Sequence, residues 1–175
     1  MVSNLSKLNE LINTANYAKA EFYLYDLLKQ KPNDYNLNKN LGMVLLAQNK
    51  YQGALKSFEK CYFDNNQDTD ILLNLSYLFL KVQDHAQCIK FSEEALSIDP
   101  NLSGVYQNLA NCYLEMLQFT KALDYAEKTI SIRGGINSDE LLKYDDFLTL
   151  YSSILLALNE SAQFISFCLG VLDHK

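Results

Sequence analysis

The sequence predicts an all-α fold, a right-handed α-solenoid of tandem helix-turn-helix hairpins with four regular units and a degenerate C-terminal hairpin. Three observations carry this expectation. Residue types recur every thirty-four positions through residues 1–134. Each period holds two stretches with apolar residues at i, i+3, i+4 and i+7, the pattern of an amphipathic helix. Each period also closes on a turn former: Pro32, Asn66, Pro100 or Gly134.

The register is kept without slip. An aromatic ring recurs as Tyr17, Tyr51, His85 and Phe119, and three residues later a small side chain recurs as Ala20, Ala54, Cys88 and Ala122. Leu8, Gly42, Ser76 and Ala110 share another phase, with Leu11, Leu45, Phe79 and Tyr113 three residues on. These phases divide the chain into units 1–34, 35–68, 69–102 and 103–136, each a first helix, a tight turn and a second helix. A small residue near the middle of the first helix is expected to face a small residue near the start of the second, so that the axes approach closely. Pro or Gly then stops the second helix and reverses the chain. One hairpin cannot bury both of its faces, so neighbouring hairpins stack.

These phases resemble the tetratricopeptide repeat family across residues 1–134. Asn4 and Asn38 depart from the large residue that the family favours at the fourth position, and units two and four lack the final Pro. Past Gly134-Gly135 the pattern loosens. Ser138 is expected to cap a new helix, with Asp139 and Glu140 in its first turn. Its apolar face would run through Leu141, Leu142, Tyr144, Phe147, Leu148, Tyr151, Leu155 and Leu158. Phe164, Ile165, Phe167, Cys168, Val171 and Leu172 form a last short helix. Residues 137–175 thus read as a degenerate fifth repeat or cap that starts near Asp145, with self-association through this hairpin as one role for it.

Composition narrows the function classes. The net charge is −6 and the sole arginine is Arg133, whereas phosphate recognition favours arginine's planar fork. Nucleic acid is therefore not an expected partner. No apolar run follows Met1 to Lys7, so no secretory signal is expected, and no stretch approaches the roughly 20 apolar residues of a membrane span. Cys61, Cys88, Cys112 and Cys168 form no metal-ligand spacing with each other or with His85 and His174. They read as reduced core residues of a cytoplasmic protein. There is no Gly-rich phosphate loop and no nucleophile paired with a base. The expectation is a protein without catalytic residues, cofactor or metal.

The family resemblance implies that the first helices line a concave groove. Their sixth position holds Ser6, Asn40, Asn74 and Asn108. Asparagine is a poor helix-interior residue, but its amide offers both a donor and an acceptor to a peptide backbone. With neighbouring first helices about 8–10 Å apart and an extended peptide advancing roughly 3.3 Å per residue, one asparagine would meet about every third peptide unit. The row resembles the asparagine ladder of tetratricopeptide superhelices that bind extended polypeptides, such as those attached to O-linked N-acetylglucosamine transferases. Around it stand Lys39, Met43, Leu73, Tyr77, Leu80, Lys81, Gln107, Asn111, Leu114 and Glu115. Of the positions at which some family members clamp a C-terminal carboxylate, only Lys39 fits in kind. The expected function is a scaffold or adaptor that holds a polypeptide segment in this groove. Two alternatives are a helper or substrate-recruiting domain of a larger or partner enzyme, such as a glycosyltransferase, and a self-associating assembly factor or chaperone.

Overall fold

The computed structural model describes residues 2–135 and 145–158. Among these residues the chain forms nine α-helices and no strand: α1 (Val2–Asn13), α2 (Tyr17–Gln30), α3 (Tyr35–Ala47), α4 (Tyr51–Asp64), α5 (Thr69–Lys81), α6 (His85–Ile98), α7 (Ser103–Glu115), α8 (Phe119–Ile132) and α9 (Asp145–Ala157). The recurring aromatic residues Tyr17, Tyr51, His85 and Phe119 are the first residues of α2, α4, α6 and α8. These helices end at Gln30, Asp64, Ile98 and Ile132, each two residues before its turn former.

The reversal within each hairpin rests on one backbone conformation. Ala15, Asn49, Gln83 and Leu117 have φ of 53°, 58°, 61° and 59°. At three of these turns the bonding is the Schellman pattern that satisfies the last carbonyls of a helix. Asn16 N–H donates to Leu11 O at 2.8 Å, Lys50 N–H to Leu45 O at 2.9 Å and Gln118 N–H to Tyr113 O at 2.8 Å. Side chains cap α3, α5 and α6. Asp34 accepts from Leu37 N–H, Asp68 from the N–H groups of Asp70 and Ile71, and Asp84 from Gln87 N–H.

The chain packs as two compact units, Met1–Val82 and Gln83–Lys175. The boundary falls within the third expected repeat, because the repeat is a period of the sequence and the unit is a boundary of packing. In the first unit α2, α3, α4 and α5 each pack on the preceding helix. Its core includes Leu8, Ala20, Leu24, Val44, Leu45 and Phe58. The packing around Gly42 corrects one expectation. A Cβ at Gly42 would lie 2.7 to 2.9 Å from three ring carbons of Phe58. The residue that exploits the small position is therefore a large one, Phe58, four residues past the expected Ala54. Asn38, a departure from the family pattern, is buried, and its amide donates to Pro32 O at 3.1 Å and Asp34 O at 2.9 Å. It anchors the loop from α2 to α3 in place of an apolar contact.

In the second unit α9 completes the core. Phe147, Leu150, Tyr151, Ile154 and Leu155 are buried with Leu109, Ala110, Tyr113, Ala122, Ala126 and Ile130. The buried apolar residues of α9 thus pack with α7 and α8. Leu156 is its large apolar residue that stays exposed. The expected helix start at Ser138, the face through Leu141, Leu142 and Tyr144, and the short helix over 164–172 with Cys168 lie outside the described residues. So does His174.

Two predictions follow from this packing. Gly42→Leu lowers stability by roughly 1–3 kcal/mol through overpacking against Phe58, and chemical denaturation measures it. Adding Phe58→Leu recovers part of that loss, because the second change removes the ring that the new side chain strikes. Leu117→Gly raises stability by about 0.5–1 kcal/mol, since glycine takes positive φ without the Cβ strain, and exposed Leu117 buries nothing that would be lost.

Candidate functional site

A cleft of about 470 Å³ runs between α3 and α5, lined by Asn36, Lys39, Asn40, Met43, Asp70 and Asn74. Four of the expected site residues therefore meet here. Asn40 Nδ2 donates to Asn36 O at 2.9 Å, and Asn74 Nδ2 donates to Asp70 O at 2.7 Å. Each bond returns to the carbonyl four residues earlier in the same helix, which fixes the side chain and compensates a poor helix former. The amide oxygen and second N–H of each asparagine have no partner among the described residues. Met43 is 47% exposed and supplies an adaptable apolar surface beside them.

The charged residues that line this cleft are Lys39 and Asp70, and Asp68 adds a second carboxylate at Lys39. Lys39 Nζ lies 2.9 Å from Asp68 and 3.1 Å from Asp70, and the Tyr35 hydroxyl also donates to Asp68. Burial alone would push the Asp68 carboxyl up, but the Tyr35 hydroxyl, the Lys39 ammonium and the Ile71 N–H outweigh it and hold the group below the ordinary 3.8. Burial and the neighbouring carboxylate push the Tyr35 hydroxyl above its ordinary 10.0. Burial opposes the charge on Lys39, yet the bonds to Asp68 and Asp70 raise it overall. Lys39 thus braces α3 against α5, with its ammonium already paired to two carboxylates. Burial also pushes the Cys61 thiol up to about 11, so it remains a thiol at neutral pH.

The other expected residues are placed differently. Tyr77 is half-buried, with Lys81 Nζ 5.2 Å from its ring centroid, and Leu73 is half-buried. Leu80 is buried and belongs to the core. In the second unit Asn108 is only 6% exposed, unlike Asn40 and Asn74. There α7 also carries α9 and Arg133. Arg133 donates to Gln107 Oε1 at 2.9 Å, and Asn111 Nδ2 donates to Gln107 O at 3.0 Å. Leu114 is half-buried, and exposed Glu115 lies 2.8 Å from His85 Nε2. Sequence reasoning missed Tyr35, Asp68 and Asp70. Asp34 and Asp68 recur at the repeat period as caps, which was a visible signal, but nothing in the spacing marked Asp68 as the partner of two side chains on α3. Among the described residues no three His, Cys, Asp or Glu side chains are grouped to hold a metal ion, and no helix is long and apolar enough to cross a membrane.

Hairpins of this length, turn and period define a helical-repeat protein. Models of the tetratricopeptide repeat match residues 40–62, 69–102 and 91–124. The chain belongs to the tetratricopeptide repeat family. Among solved structures it is similar to the MamA protein, with TM-score 0.80 and 16% identity over 99% of this chain and 90% of that one. It is also similar to MamA from Desulfovibrio magneticus RS-1, with TM-score 0.83 and 14% identity over 98% and 92% of the two chains. PilF of Pseudomonas aeruginosa gives TM-score 0.77 and 15% identity over 99% and 75%. At these identities the likeness is one of fold. A stretch of 87 residues, 47% of this chain, is 32% identical to a probable UDP-N-acetylglucosamine–peptide N-acetylglucosaminyltransferase of Arabidopsis thaliana, and it spans 9% of that protein's length.

The Asp68 cluster sets a pH prediction. A carboxyl depressed in the folded chain contributes stability above pH 3.8 that is lost as the pH falls below that value, where the native state must also take up the proton. A hydroxyl raised in the folded chain contributes stability below pH 10.0 that is lost above it. Denaturation midpoints across pH therefore show an acid limb that Asp68→Asn flattens. They also show an alkaline limb that Tyr35→Phe flattens only in part, because Lys39, Tyr113, Tyr125 and Tyr151 are raised in the folded chain as well.

Proposed function

We propose that this chain is a protein-interaction scaffold that takes an extended polypeptide segment in the cleft between α3 and α5. The observation that carries the reading is the pair Asn40 and Asn74. Each is held by one bond to its own helix and still presents an amide oxygen and an N–H. A peptide backbone needs such alternating acceptors and donors, and Met43 adds an apolar anchor. Lys39, Leu73, Tyr77 and Lys81 flank the same side in this reading. Gln107, Asn108 and Asn111 lie in the second unit, and a partner would reach them only by exchanging their present bonds. Because Lys39 is offset by Asp68 and Asp70, recognition depends on backbone and shape more than on charge. The chain performs no catalysis of its own and works in the cytoplasm, where the buried thiols of Cys61, Cys88 and Cys112 stay reduced.

A second reading is favoured by one finding, the similarity to part of the Arabidopsis glycosyltransferase. There the same cleft would recruit a polypeptide substrate for a modifying enzyme. The two readings share the cleft and differ in what accompanies the bound segment.

The test is capture from native lysate with the wild-type chain and with Asn40→Ala/Asn74→Ala, matched for helicity. Loss of two to four hydrogen bonds at about 1 kcal/mol each weakens the partner by roughly thirtyfold or more. A partner retained equally by both chains removes the cleft as its site. A partner that carries transferase activity, lost together with the asparagines, selects the recruiting reading.

A further inference from the structure

A second cleft lies on the other side of α3, between α2 and α4. It is about 410 Å³ in volume. On α2 the lining residues are Tyr25, Leu28 and Lys29, followed by Pro32 just past the helix end; on α4 they are Gly53, Lys56, Ser57 and Lys60. Both sets follow i, i+3, i+4 and i+7, so each helix turns one continuous stripe toward the other. Leu41 of α3 forms the floor. Gly53 and Ser57 are the small residues of the α4 stripe, and Tyr25 is 46% exposed beside the cleft.

The rim is basic although the whole chain carries −6. Lys29 is paired with Asp26 at 3.2 Å, whereas Lys56 and Lys60 have no ion-pair partner among the described residues. The α4 stripe continues past Lys60 to Phe63, which is 87% exposed. An apolar slot bordered by two unpaired ammonium groups and an exposed ring is complementary to one kind of occupant. We infer that this cleft docks an acidic amphipathic helix of a partner protein, with apolar side chains in the slot and carboxylates on Lys56 and Lys60. The apolar surface is recessed between two helices, where a side chain reaches it and a flat lipid surface does not. This inference is independent of the cleft between α3 and α5.

The test is fluorescence anisotropy with the whole chain and a short fluorescein-labelled helical peptide bearing Glu on one face and Leu and Phe on the other. Wild type binds it, and the affinity falls as salt rises. Lys56→Glu/Lys60→Glu weakens binding by roughly tenfold, Tyr25→Ala weakens it as well, and Asn40→Ala/Asn74→Ala leaves it unchanged. All these positions are at least partly exposed. Should the charge reversal unfold the chain, Lys56→Gln/Lys60→Gln gives the same direction with a smaller loss. The inference is overturned if wild type does not bind the peptide, or if the charge-reversed chain binds it as tightly. Binding to phosphatidylserine vesicles without binding to the peptide would also overturn it, making the basic rim a lipid-facing surface instead.

Discussion

The left-handed residue at each hairpin turn is the constraint on which the rest of the structure depends. Ala15, Asn49, Gln83 and Leu117 hold nearly the same positive φ. With that reversal the second helix of a hairpin begins at a fixed phase relative to the first. Only then do the small position of the first helix and the buried stripe of the second meet every thirty-four residues. None of the four is glycine and only one is asparagine, the side chain that tolerates this conformation best. The strain at Ala15 and Leu117 persists because the Schellman bonds and the flanking helix packing over-determine the turn.

Once the phase is fixed, the interior tolerates exchange of volume between facing positions. Gly42 and Phe58 form one such pair in the first unit, the smallest residue beneath a large ring. In the second unit Ala110 and Ala126 are buried in one cluster, and α9 brings its rings against the same helices. The same backbone frame thus accommodates a ring in one unit and two alanines in the other, as volume-conserving cores do.

Much of this was readable from the residues. The recurring aromatic phase marked the first residue of α2, α4, α6 and α8, and Pro32, Asn66, Pro100 and Gly134 marked where those helices give out. The turn residues themselves were not readable, because Ala, Gln and Leu carry no preference for positive φ. The candidate site was readable only in part. Asn40 and Asn74 share a cleft as their spacing implied, yet Asn108 at the same phase is buried. A row defined by period says which helix face a residue occupies, and not what covers that face. Likewise Lys39 was the one residue that fitted a carboxylate clamp in kind, while its ammonium is paired with Asp68 and Asp70, residues brought close only by packing.

The two clefts of the first unit divide the chemistry between them. The α3–α5 cleft offers the amide groups of Asn40 and Asn74, the chemistry that the proposed backbone recognition uses. The α2–α4 cleft offers apolar depth and unpaired lysines, which read side chains. The central claim is that the amide-lined cleft receives a polypeptide, and a photo-crosslinking residue placed at Met43, in the middle of that cleft, tests it most directly. With mass-spectrometric mapping in native lysate, the account predicts crosslinks from Met43 to one contiguous segment of a partner polypeptide, competed away by a peptide of that segment. Crosslinks scattered over many proteins, or none while the partner stays bound, would contradict it.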